Sequence, residues 1–170
     1  MSRLWPAALA SLLASFAALA VTAPLRAADI RNRLDDLPGE RIVLETRAGH
    51  HEFRAWRADT QETRARGLMY VATLADDEAM IFVYDEPQPV SMWMKNTYLP
   101  LDMLFVDARG CIVSLAERTT PLSLRSIESG APVVLVVEIR GGSAARHDVK
   151  AGDRVRRPDA GWPTAGAERC

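Results

Sequence analysis

Val133-Val134-Leu135-Val136-Val137 restricts the fold more than any other stretch of the chain. Branched β-carbons lose rotamer freedom in a helix and pack well on a pleated surface. An unbroken aliphatic run opened by Pro132 therefore predicts a central strand covered on both faces. A chain containing such a strand must supply apolar cover from two sides. Much of the remaining sequence consists of short strand-like runs that do so. Arg41 to Thr46 and Glu52 to Arg57 flank Ala48-Gly49-His50 as a hairpin. Ala79 to Tyr84, Val90 to Lys95, Leu101 to Asp107 and Cys111 to Leu115 read as further strands, and Arg154-Val155 as the last. Asp59 or Thr60 is placed to cap a short helix through Arg66, with Gly67 to end it. A helical or turn segment falls near Ala144 to Val149. Short strands at close spacing predict a mainly β single domain, a sandwich or jelly-roll-like barrel with one short helix.

Composition narrows the functional classes. With 48% apolar and 25% charged residues, the chain is neither disordered as a whole nor collagen-like nor coiled coil. A net charge of −1 offers no basic footprint for nucleic acid. Two cysteines are too few for a disulfide-dense scaffold or a four-thiolate zinc site.

Residues Leu4 to Leu25 follow Arg3, contain no charge and consist mostly of Ala and Leu. This is the layout of a secretory signal. Ala18-Leu19-Ala20 and Ala27-Ala28 offer cleavage sites, and the onset of polar sequence at Asp29 favours the second. The expected organisation is a signal peptide over 1–27, a polar lead-in over 28–40, a β domain over 41–156 and a disordered tail over 157–170. Removing the signal takes away Arg3 and Arg26 and leaves a net charge of −3. The mature protein is expected to be periplasmic or secreted, with no membrane span. Cys111 and Cys170 would then meet an oxidising compartment. Either they pair and tie down the tail, or Cys111 is an inert core residue and Cys170 a loose thiol.

Polar and sulfur-bearing residues concentrate in Met92-Trp93-Met94-Lys95-Asn96-Thr97 and Leu99-Pro100-Leu101-Asp102. Side chains alternate along a strand, so Asp102 lies opposite Leu101, Met103 and Phe105, beside Leu104 and Val106. A carboxylate on an apolar face needs a partner. One reading has Asp102 pin the neighbouring turn. The other has Lys95, Asn96, Thr97 and Asp102 line a polar pocket, with Arg64, Met69 and Trp93 around it, that binds a small molecule or an envelope protein. Met69, Met80, Met92 and Met94 raise a second possibility, because convergent thioethers bind Cu(I), although methionine is also a common core filler. A cell-envelope hydrolase is the third, and it requires Asp102 and another titratable group to converge. No nucleophile–base pair is visible, so no catalytic residue is assigned. Glu138 follows the aliphatic run on the face of Val134 and Val136 and is expected to pair with an arginine.

Several of these strings together resemble a known family. They are Arg64-Ala65-Arg66-Gly67-Leu68-Met69, Ala79-Met80-Ile81-Phe82-Val83-Tyr84, Met92-Trp93-Met94-Lys95-Asn96-Thr97 with Leu99-Pro100-Leu101-Asp102, Val137-Glu138-Ile139 with Gly141-Gly142, and Val149-Lys150-Ala151-Gly152-Asp153. Over about Arg41 to Arg156 the chain resembles the DUF192 (UPF0127) proteins, an uncharacterised family. The resemblance implies a compact, mainly β fold, often exported, with no established activity and so no transferable catalytic role. Ala79 stands where the family usually has glycine.

Overall fold

The computed structural model describes residues 34–163 and Cys170. The expected signal peptide and residues 28–33 of the lead-in lie outside the described residues, as do residues 164–169 of the expected tail. No described helix is long and apolar enough to cross a membrane.

The elements run β1 (Gly39–Thr46), β2 (Gly49–Ala58), α1 (Gln61–Arg66), β3 (Glu78–Gln88), β4 (Ser91–Met92), β5 (Leu101–Val106), β6 (Ile112–Ala116), β7 (Ile127–Glu128), β8 (Val133–Arg140), α2 (Ser143–Arg146) and β9 (Arg154–Arg156). Seven strands form one sheet in the order β6-β5-β8-β3-β2-β1-β9, antiparallel except for the parallel β2–β3 pair. The sheet curls until its ends meet. Val155 N donates to Gly110 O at 2.8 Å, and Ile112 N donates to Asp153 O at 2.9 Å. The fold is mainly β, as expected, with the form of a jelly-roll-like half-barrel and two short helices.

The aliphatic run is β8, in the middle of the sheet and hydrogen-bonded to β3 and β5. Both of its faces are covered, as a buried central strand requires. On one face Met80, Phe82, Leu101, Met103, Phe105 and Val136 share a core with Trp56, Leu68 and Met94. On the other, Ile81, Leu104, Val106, Leu135, Val137 and Ile139 pack with Ile42, Leu44 and Ala144. Strand alternation therefore sorts each side chain of β3, β5 and β8 into one core or the other.

Two local expectations change. Val90 to Lys95 is not a full strand: only Ser91 and Met92 pair, with Glu128 and Ile127 of β7. After them the backbone leaves the ladder, Met94 N donating to Ser123 O and Thr97 N to Met94 O. The loop over 120–125 competes for this backbone, and its pairing is invisible to local alternation. The segment expected to be a disordered tail is ordered at its start: Pro158–Ala160 form a 3-10 turn, and Arg157 donates to Glu40. Cys111 and Cys170 form a disulfide, so of the two cysteine readings the paired one holds.

Candidate functional site

One face of the sheet carries a cleft of about 280 Å³. Its wall begins with α1. Thr60 caps this helix by accepting from Thr63 N, while the Thr63 hydroxyl accepts from Thr60 N, a reciprocal capping box. Arg64 then lies under the helix, donating to Asp59 O at 2.7 Å and Val83 O at 2.8 Å, with its guanidinium 5.0 Å from the Tyr84 ring centre. Gly67 ends the helix with φ +47°, where a Cβ would come within 3.0 Å of the Phe82 ring. Glycine is therefore required twice there, for the turn and for the close approach. The opposite wall is the 91–97 segment, with Lys95 Nζ 5.0 Å from the Trp93 ring centre.

Glu138 lines the floor. In the ladder it stands opposite Met80 on β3 and Met103 on β5, both in the core on the cleft side. It is only 4% exposed, and among the described residues its carboxyl makes no hydrogen bond or ion pair. Burial pushes it up to about 8, so it is largely protonated at neutral pH. Burial also raises the neighbouring Tyr84 hydroxyl; the Arg64 guanidinium opposes this and the Glu138 carboxyl adds to it. Among the described residues the expected Glu138–arginine pair does not form.

The cations around the cleft are equally unpaired. Arg57, Arg109, Arg140, Arg156 and Arg157 each face a carboxylate. Arg64, Arg66 and Lys95 all line the cleft, and no described carboxylate lies within ion-pair distance of any of them. The arrangement is a positively charged mouth, aromatic and thioether walls, and a neutral acid at the base that can both donate and accept a hydrogen bond.

Of the residues singled out from sequence, Arg64, Met69, Trp93, Lys95 and Thr97 line this cleft. Asn96 stands just behind it, with its amide 3.8 Å from Met69 Sδ and its carbonyl accepting from Tyr70 N. Asp102 does not join them. It is fully buried on the opposite face of the sheet, where Oδ1 accepts from Arg118 N at 2.7 Å and Oδ2 from Ala144 N at 2.8 Å. Its oxygens satisfy backbone donors, including one at the start of α2, which lacks a side-chain cap of its own. Asp102 thus pins α2 and the 118 loop, and not the 95–97 turn that the structural reading gave it. Among the described residues no titratable side chain is hydrogen-bonded to Asp102, whose two oxygens are taken by backbone donors. The four methionines are also divided: Met69 and Met92 line the cleft, whereas Met80 and Met94 are fully buried and Met94 Sδ lies 3.1 Å from the Thr119 hydroxyl. The site residue missed at the level of sequence is Glu138. An acid ending an aliphatic run was its signal, and the unexpected feature is that no described residue neutralises it.

Among solved structures, the chain is similar to a protein from Sinorhizobium meliloti 1021 described as a candidate transcription regulator. The two are 41% identical with a TM-score of 0.70, over 72% of this chain and 95% of that one. It is similar also to a protein of unknown function from Novosphingobium aromaticivorans DSM 12444, at 35% identity and TM-score 0.69, over 71% and 86% of the respective chains. No curated protein matches. The profile of DUF192, described as "Uncharacterized ACR", matches residues 42–157, a span that takes in both walls and the floor of the cleft, and the chain belongs to that family.

Proposed function

We propose that this domain is an exported binding module whose cleft takes a small organic anion with an apolar body. The observation that carries the reading is the concentration of cations, Arg64, Arg66 and Lys95, above a buried acid, none of them paired with an opposite charge among the described residues. Cations brought together without counter-charges raise the local potential and attract anions. Trp93, Met69 and Met92 supply apolar contact, and protonated Glu138 donates a hydrogen bond to an acceptor on the ligand. The disulfide and the leader-like N-terminus support export, since such bonds persist in oxidising compartments.

The description of the Sinorhizobium relative raises nucleic acid as a partner. The described helices α1 and α2 span six and four residues and the net charge is −1, so neither a groove-reading helix among them nor a basic overall charge supports that reading.

The test is calorimetric titration of the full chain with a panel of aromatic and aliphatic monocarboxylates, alongside their amides. Carboxylates are expected to bind and the amides are not. Lys95→Ala and Arg66→Ala are each expected to weaken binding by about tenfold, the equivalent of about 1.4 kcal/mol. Binding should also fall as pH rises past about 8, where Glu138 becomes an anion facing an anion. Equal affinity for acid and amide, or no effect of either substitution, would refute the proposal.

A further inference from the structure

Among the described residues the exposed large apolar side chains are Tyr70 (44%), Trp93 (47%), Tyr98 (52%), Leu122 (55%) and Leu124 (70%). Phe53, Trp56, Phe82 and Phe105 are by contrast buried. All five exposed residues stand on three loops, over 67–71, 93–98 and 120–125, the first two of which also supply cleft-lining residues. Scattered apolar residues are ordinary on a protein surface, but a gathered set calls for an explanation.

The loops are joined to one another. Tyr70 N donates to Asn96 O at 2.8 Å, Leu122 N to Thr97 O at 3.1 Å and Met94 N to Ser123 O at 3.0 Å. The Tyr70 and Tyr98 rings meet edge to face at 6.1 Å. Each loop contributes a non-glycine residue in left-handed backbone: Tyr70 at φ 65°, Asn96 at 55° and Leu122 at 61°. This conformation is costly for tyrosine and leucine and persists only where the surroundings enforce it. The apolar side chains are thus held out on a fixed frame, which reduces the ordering cost of an encounter.

Basic residues lie among them. Lys95 and Arg66 at the cleft and Arg125 beside Leu124 have no ion-pair partner among the described residues. Tyrosine, tryptophan and arginine are the side chains that dominate protein–protein contacts. The two leucines, the most exposed of the set, suit aliphatic and aromatic anchors rather than sugar rings. We infer that this rim is a docking surface for an acidic segment of a partner protein, in which an aromatic or leucine anchor sits between acidic residues. Tyr70, Tyr98, Leu122 and Leu124 lie outside the cleft lining while Trp93, Lys95 and Arg66 belong to it, so the surface overlaps the small-anion site and extends beyond it.

Panning a library of short random peptides against the immobilised full chain tests this. The recovered peptides are expected to be enriched in Asp and Glu around Leu, Phe or Trp. Their affinity should drop at least about tenfold against a Tyr98→Ser, Leu124→Ser variant and fall as salt is added. Both substituted side chains are mostly solvent-exposed, and circular dichroism with retained carboxylate binding in the cleft verifies the variant's fold. Recovery of no peptide, or of peptides that bind the variant equally, overturns the inference. So does a preference of the same surface for acidic oligosaccharides such as oligogalacturonate over every recovered peptide.

Discussion

Glu138 is enclosed by Met80 and Met103 on neighbouring strands, with its carboxyl facing the cleft. An acid whose folded value rises from 4.5 to about 8 binds a proton in the native state that the unfolded chain has already released. Its contribution to stability is therefore fully present below about pH 4.5 and is lost as pH rises toward 8. For a shift this large the loss is on the order of 5 kcal/mol. Glu138→Gln keeps the shape and removes the proton, so urea unfolding should show wild type and variant alike near pH 5 and the variant clearly more stable near pH 9. Parallel stability curves would mean that the carboxyl is already neutralised. His147 acts with the opposite sign. Burial, reinforced by His51 and Arg146, holds it below its ordinary 6.5, and the two imidazole rings lie 4.1 Å apart. The unfolded chain takes up this proton first, so stability falls as pH drops through and below 6.5. His147→Asn is expected to flatten the acid side of the profile without touching the alkaline side.

The elements were legible wherever the determinant was local. The aliphatic run marked β8, the Ala48-Gly49-His50 turn marked the first hairpin, and the Thr60 and Gly67 caps bounded α1 within a residue. What local pattern could not supply was the face on which each loop would settle. Alternation along β5 already set Asp102 opposite Met103, but nothing near it in sequence placed the 95–97 turn on the Met103 side. The candidate cluster therefore split across the sheet, with Lys95 and Thr97 over one core and Asp102 in the other. At Asp102 the outcome is an element-level joint between β5, α2 and the 118 loop, made by accepting two backbone N–H groups. Asp102→Asn turns an amide donor toward one of those donors and leaves it unsatisfied, at a cost of about 1–3 kcal/mol. Amide exchange should then quicken at Ala144 and Arg118 while β2 and β3 stay protected. An unchanged exchange rate at Ala144 would show that the helix start does not depend on this carboxylate.

At the scale of the whole molecule, the curled sheet explains both why one short chain carries two cores and where it closes. β1 and β2 arise as a hairpin, but the parallel β2–β3 step and the insertion of β8 between β3 and β5 are long-range choices, and no sequence spacing announced them. Closure brings β9 against the start of β6, and Cys111, buried at that seam, is bonded to Cys170 at the far end of the chain. The bond spans 59 residues of sequence and encloses β6, β7, β8, α2 and β9, so it restricts the unfolded state over much of the domain. Chain-entropy reasoning for a loop of that length gives a stabilisation of up to about 4 kcal/mol. Cys170→Ser leaves the small Cys111 thiol in its packed position and removes only the link. The variant is expected to unfold at lower denaturant, at the midpoint shown by the reduced wild type, and with the carboxylate affinity proposed for the cleft intact because Glu138, Arg66 and Lys95 do not take part in the seam. If reduction lowered the midpoint of the Cys170→Ser variant as much as that of the wild type, the effect would not come from this bond. If the variant also lost the proposed carboxylate binding, the seam and the cleft would form one cooperative unit rather than two independent parts of the fold.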